Sequence, residues 1–253
     1  MSVLVKPITG CRHGNQLCQY FAGRIISEKL KFKLFGITKD YREFCLNGVD
    51  LVYNQEGYQA YEAPIQLIGN NNPDIKLEDV YNDTTPRRII LDGYFQKKAY
   101  YAPFKEELKQ WYGFKKYNIP SNDVVIHIRL GDLRETNHPD LLPHDYYVEA
   151  LKMIDNPGKI TICSDTPTDE YVQYFVKKYN AEIFLGNEKE TICFMASHNN
   201  LILSVGTFSY WAGFFSDGTN IINAIPTKGN NRISPDNTVD LLVQGPNYKY
   251  ITL

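Results

Sequence analysis

From residue 124 onward, short apolar runs alternate with helix-forming stretches, and no other feature constrains the fold as strongly. Val124–Ile128, Lys159–Cys163, Glu182–Leu185, Leu201–Ser204 and Asn220–Ile225 read as strands. Between them Tyr146–Ile154, Thr168–Tyr179, Glu188–Ser197 and Ser209–Phe215 read as helices. Strict strand–helix alternation implies a parallel sheet with right-handed crossovers, because each strand must return to the same edge before pairing. This half is expected to be Rossmann-like, with Asn220–Ile225 as its last strand. Beyond Pro226 the chain is rich in Asn, Pro and Gly and is expected to be irregular.

The first half opens the same way. Val3–Val5 gives a strand and Thr9–Gly14 a polar loop. A helix over Asn15–Leu30 follows from the stripe Leu17, Phe21, Ile25, flanked by Cys18, Ala22 and Ile26. Phe32 and Leu34, alternating with Lys, give a second strand. Asn47–Gly48, Asn70–Pro73 and Asn82–Asp83 mark turns. A strand is expected near Arg88–Leu91 and a helix over Tyr101–Trp111, with Pro103 marking its start. Tyr117–Asn122 reads as a linker.

Composition narrows the function. The formal net charge of -2 gives no basic surplus for a nucleic-acid surface. No apolar stretch approaches the ~20 residues needed to cross a bilayer. The start of the chain lacks the pattern of a signal peptide, so a cytoplasmic location is expected. The 5 Cys are odd in number and form no C-x-x-C pair, so neither a disulfide framework nor structural zinc is expected.

Chemistry gathers where strands end. The run Val124–Ile128 leads into His127-Ile128-Arg129-Leu130-Gly131-Asp132. In open α/β sheets ligands bind beyond the carboxyl ends of strands. His127 and Arg129 are two apart and leave the strand on one side. Arg129 brings a permanent planar cation suited to phosphate oxygens; the other reading pairs it with a nearby carboxylate. Three further junctions hold polar groups. Gly10–Gln16 precedes a helix and offers either an anion-facing loop or a plain connection with an Asn cap. In Cys163–Pro167, Asp165 either faces paired N–H donors, as on a guanine edge, or caps the next helix. Ser204–Trp211 combines two hydroxyls, a Gly and a helix start, giving either a phosphate cradle or an N-cap. There is no D-x-D, no G-x-x-x-x-G-K-[ST], no G-x-G-x-x-G and no G-x-S-x-G. Without a D-x-D metal bridge, a leaving diphosphate must be neutralised by side chains and helix ends.

These residues resemble a known family. His127-x-Arg129-x-Gly131-Asp132 is similar to the H-x-R-x-G-D motif of α-1,2-fucosyltransferases, which α-1,6- and protein O-fucosyltransferases carry in variant form. Gly14–Asn15–Gln16 with Gln19–Tyr20 resembles the family's G-N-Q-x-x-Q-Y element, and Gly93–Tyr94–Phe95–Gln96 its G-Y-[FW]-Q element. Asp145–Tyr146–Tyr147, Ser164–Asp165, and Phe208–Ser209 with Trp211 follow in the family's order. The chain departs from the pattern at Cys11–Arg12–His13, which replaces G-G-L. It departs again at Tyr210, which replaces Trp, and at Gly206–Thr207, which replaces a Ser-rich pair.

The resemblance implies an α/β, GT-B-like fold of two Rossmann-like domains whose parallel sheets face a central cleft. Their expected extents are 1–118 on the acceptor side and 119–253 on the GDP-sugar side. It implies GDP-β-L-fucose as co-substrate, an inverting transfer to a glycan or oligosaccharide acceptor, O2 of galactose as the hydroxyl attacked, no metal and no other cofactor. Arg129 would hold the β-phosphate, and His127 would shape the diphosphate or ribose site. Asp165 would contact guanosine, Thr207 and Ser209 would lie near the phosphates, and Gly14 and Asn15 would close from across the cleft. Asp132 and Glu135 are the candidate bases, although Asp132 can instead anchor the motif backbone. His13 is a third candidate base, or else an exposed loop imidazole. A different GDP-sugar, a non-catalytic GDP- or glycan-binding protein, and peripheral membrane association stay open at this point.

Overall fold

The computed structural model describes residues 1–6, 8, 10–36, 65–69, 76–136, 138, 140–225 and 240–252. The turns expected at Asn47–Gly48 and Asn70–Pro73, and the stretch immediately after Pro226, lie outside these residues. The described residues form two compact units. One runs to Phe114 and includes Asp240 and Leu241; the other begins at Lys115 and includes the C-terminal strand.

The first unit contains β1 (Ser2–Val5), α1 (His13–Leu30), β2 (Lys33–Gly36), β3 (Ile65–Gly69), α2 (Leu77–Asn82), β4 (Arg88–Asp92), α3 (Lys98–Tyr101) and α4 (Lys105–Tyr112). Its sheet has the order β2-β1-β4-β3, with every pair parallel. The apolar stripe read from the sequence is the buried face of α1: Leu17, Phe21, Ile25 and Ile26 are fully enclosed. The helix stops at Lys31, in the left-handed region at φ 58°, where its N–H caps the Ser27 carbonyl. The helix expected over Tyr101–Trp111 is interrupted. Pro103, with no N–H to donate, sits in a 3-10 turn, Ala102–Phe104, between α3 and α4.

The second unit contains β5 (Val124–Ile128), α5 (Gly131–Glu135), α6 (His144–Lys152), β6 (Ile160–Ser164), α7 (Glu170–Tyr179), β7 (Glu182–Ile183), α8 (Glu188–Ala196), β8 (Asn200–Ile202), α9 (Thr207–Phe215), β9 (Asn220–Ile225) and β10 (Tyr248–Thr252). Its sheet is entirely parallel, in the order β10-β9-β8-β5-β6-β7. Helices cover both faces, so β5 is buried along its whole length, as its β-branched sequence requires. Val124, Ile126 and Ile128 pack with Tyr146, Tyr147 and Phe175 on one face. Val125 packs with Leu201, Leu203 and Ala212 on the other.

The α/β class with parallel sheets is therefore as read from the sequence. Two local readings are corrected. Between the strand Val124–Ile128 and the helix expected at Tyr146–Ile154, where no element is expected, the chain forms the short helix α5. Asn220–Ile225 is not the last strand, because Tyr248–Thr252 adds β10 in parallel at the sheet edge. Among the described residues, no helix is long and apolar enough to cross a membrane.

Packing of α1 on its sheet depends on one small residue. A Cβ on Gly23 would lie 2.5 Å from Val5 Cγ2 and 3.1 Å from Leu34 Cδ1. Gly23→Val is expected to lower stability by about 2–3 kcal/mol through overpacking. Urea denaturation measures this, and a variant as stable as the parent would refute the close approach.

Candidate functional site

The strand order of the second sheet fixes where a ligand can enter. From β5 the chain proceeds outward through β6 and β7, then returns to place β8, β9 and β10 on the other side of β5. The reversal makes the carboxyl ends of β5 and β8 a topological switch point, where a crevice opens because the following loops diverge.

Arg129 and Gly206 occupy that point. Arg129 is the first residue past β5, and Gly206 is the N-cap of α9, just past β8. Gly206 adopts φ 92° and ψ 172°, a conformation reserved almost wholly for glycine. A Cβ there would collide with Nη1 of Arg129. The guanidinium thus lies directly on the glycine that opens a nine-residue helix. The helix has no side-chain cap and no acidic residue in its first turn. A fixed cation and the positive end of a helix dipole converge here, the electrostatic requirement for binding an oxyanion.

Arg129 does form an ion pair, as one of the two sequence readings held. Its Nη2 donates to Asp132 Oδ2 at 3.0 Å and Oδ1 at 3.3 Å. However, the Asp132 side chain is 52% exposed. A pair this open to water holds its partners weakly, so an incoming anion can displace the carboxylate.

Behind this surface, His127 and Ser209 face each other. His127 Nδ1 and Ser209 Oγ are 2.6 Å apart, both residues are buried, and the Phe208 ring lies 5.3 Å from the imidazole. The pair ties β5 to the first turn of α9 and so fixes the position of Gly206 and Thr207 relative to Arg129. Asp165 does not cap α7: that role belongs to Asp169, which accepts from the Tyr171 N–H at 2.8 Å. Instead Asp165 Oδ1 accepts the Leu130 N–H at 3.0 Å, joining the end of β6 to the loop that carries Arg129. Tyr146 donates to the carbonyls of Leu203 (2.6 Å), just past β8, and Ile222 (3.3 Å), within β9. Neighbouring Tyr147 is fully enclosed, and burial pushes its phenol pKa up. Asp132 and Glu135 both stand exposed on α5. Arg134, between them, pairs with Asp169 and Glu170 at the start of α7.

Gly14 and Asn15 belong to the first unit. Asn15 Oδ1 accepts from Gln96 Nε2 at 2.7 Å, and Gln19 Nε2 donates to the Gly93 carbonyl at 3.1 Å. Gly14–Gln19 and Gly93–Gln96, far apart in the chain, are thus one bonded structure. Tyr101 reinforces it by donating to the Cys18 and Phe95 carbonyls. His13 is not an exposed loop imidazole. It begins α1, is buried, and its Nε2 lies 3.0 Å from the Tyr112 hydroxyl. In the second unit, one residue that no motif marked is Asp140, whose carboxylate is buried.

No protein-family model and no curated protein matches the chain. Solved structures do. A mutant of Arabidopsis thaliana FUT1 in complex with GDP is similar with a TM-score of 0.50 and 11% identity, over 86% of this chain and 69% of that one. The fold is of the GT-B type. The NodZ α-1,6-fucosyltransferase soaked with GDP-fucose gives a TM-score of 0.48 and 10% identity, over 85% of this chain and 92% of that one. NodZ from Bradyrhizobium gives 0.47 and 12%.

Gly206→Ala tests the contact at the switch point. It is expected to cost about 1–3 kcal/mol in urea denaturation, because the backbone is strained for any residue with a Cβ and the guanidinium must move. Unchanged stability would show that neither constraint operates.

Proposed function

We propose that this chain is an inverting, metal-independent fucosyltransferase, moving L-fucose from GDP-β-L-fucose to a glycan hydroxyl, with O2 of galactose as the preferred position. The observation that carries the reading is Arg129 seated on Gly206 at the start of α9. Support comes also from the ordered motif matches and from a fold shared with the Arabidopsis thaliana FUT1 mutant whose structure holds GDP.

In this reading the β-phosphate of the donor enters between the Arg129 guanidinium and the first turn of α9, displacing Asp132. As the sugar–phosphate bond breaks, negative charge grows on the departing GDP. A guanidinium and a helix end already in place stabilise that charge without reorganising at the moment of reaction. Thr207, the first residue of α9, lies nearest the phosphates. Ser209 and His127 act from behind, holding the helix start at a fixed distance from β5. Asp165 keeps the Arg129 loop in place through Leu130 while its exposed side serves guanosine. Gly14 and Asn15 are assigned to the donor by resemblance alone. Inversion requires the acceptor hydroxyl to attack from the face opposite GDP and to give up its proton. Asp132, once released from Arg129, and Glu135 are the carboxylates available on α5.

Transfer from a panel of GDP- and UDP-sugars to galactosides, read by mass spectrometry, tests the donor and acceptor. Fucosylated product from GDP-fucose is expected, and a preference for a UDP-sugar would defeat the reading. Arg129→Ala is expected to lower kcat/KM on the order of 100- to 1,000-fold, the loss typical of one oxyanion donor. The variant should still fold and melt cooperatively, since the carboxylate it leaves behind at Asp132 is exposed. Retention of most of the activity would place the phosphate elsewhere.

A further inference from the structure

The segment after β4 bends through a residue that resists the bend. Phe95 adopts φ 54°, in the left-handed region. Lys31 and Asn180 share that region but close helices, where it is ordinary. Phe95 closes no helix, and a bulky aromatic residue is strained there. The surroundings enforce the strain. The Phe95 ring is buried, and its carbonyl accepts from the Tyr101 hydroxyl at 2.5 Å and from the Lys97 N–H at 3.0 Å. Backbone strain that the neighbours over-determine points to a functional constraint on what the bend presents.

The bend presents Gln96. Its Nε2 donates to Asn15 Oδ1 at 2.7 Å across 81 residues of chain, and its carbonyl accepts the Asp240 N–H at 2.7 Å. Asn15, Cys18 and Gln19 are three and four apart, so they share one face of α1. Each is tied to the bend or to Tyr101. The ties differ in depth. Cys18, Gln19 and Tyr101 are fully enclosed, so their bonds hold the segment against the helix. Asn15 and Gln96 are only half-buried, where water competes for the same groups and one more bond adds little stability. Its distinctive effect is orientation. An amide that accepts through its oxygen turns its NH2 group the other way. The two hydrogens on that group allow Asn15 to bond the Cys11 side chain, as it does, and a ligand as well.

We propose that Gln96 is a positioning residue for Asn15: by occupying Oδ1, it turns the Asn15 NH2 group toward the sugar-nucleotide donor. This role rests on the assignment of Asn15 to that donor. The strained Phe95 is what sets the Gln96 amide against Asn15.

GDP release from GDP-fucose with methyl β-galactoside as acceptor, measured beside the melting temperature, tests the role. The proteins are the parent, Gln96→Glu, Gln96→Leu, Asn15→Ala and Asn15→Ala/Gln96→Glu. A Glu carboxylate at 96 can only accept, so the Asn15 amide must flip to keep the bond, and its NH2 group then faces Glu. Gln96→Glu is expected to lower kcat/KM for GDP-fucose about tenfold or more, at an unchanged melting temperature. Gln96→Leu lets the amide take either orientation and is expected to lose less. A structural role predicts the reverse order, because Glu keeps the bond and Leu removes it. In the Asn15→Ala background Gln96→Glu should have no further effect, which separates orientation from the mere arrival of a charge. Four results would overturn the proposal: Gln96→Glu within about twofold of the parent, greater damage from Gln96→Leu, an undiminished effect of Gln96→Glu without Asn15, or a lowered melting transition in both variants. Should Asn15→Ala lose activity while Gln96→Glu keeps it, the positioning role alone fails. Parental activity in Asn15→Ala removes the assignment of Asn15 and this role with it. A parent that releases no GDP removes the fucosyl-transfer reading as well.

Discussion

The contact between the Arg129 guanidinium and Gly206 organises the second unit. It exists only because β5 and β8 are neighbours, and they are neighbours because the chain reverses its direction of growth after β7. A parallel strand added in sequence would have placed β8 at the far edge, away from Arg129. A side chain at 206 would have kept the cation off the helix end. Topology and a missing Cβ together put a fixed charge where a dipole can add to it.

Around this contact, the polar groups of the motifs divide by depth. Arg129, Asp132 and Asp165 retain access to water. His127, Ser209 and Tyr146 are buried and bind one another or backbone carbonyls. The deeper set ties β5 to α9, and α6 to the end of β8 and to β9, so the exposed set stands on rigid elements. Asp140 is the exception: its carboxylate is enclosed and has no hydrogen bond among the described residues.

Much of the fold was legible in the sequence, for physical reasons. The strands β5 to β9 are short and apolar, and the helices between them show the longer period, so alternation sufficed. Elements that escaped notice lacked such periodicity. The five-residue helix α5 opens with Gly131 and buries one side chain, Leu133, too little for a stripe. β10 lies in a region of Asn, Pro and Gly, although Tyr-Lys-Tyr-Ile-Thr carries strand-forming residues that a closer reading could have caught. At the site, Arg129 and Gly206 were visible through their positions at strand ends. The partners of Asn15, His13 and Asp165 were not, since Gln96, Tyr112 and the Leu130 amide lie too far along the chain for spacing to reveal them. Asp140 had no sequence signal at all, because its distinction is enclosure, which only the fold confers.

The path of the C-terminal segment carries a further consequence. After β9 the chain contributes Asp240 to the first unit, where its N–H donates to the Gln96 carbonyl and its carbonyl accepts from the Lys98 N–H, both at 2.7 Å. It then rejoins the second unit as β10. Neither half is one uninterrupted piece of polypeptide. A fragment ending at Phe114 would forgo the Asp240 bonds, and one ending at Ile225 would expose an unpaired β9 edge, an invitation to self-association. Gene dissection or domain exchange would therefore have to carry the terminal residues along with the halves they complete.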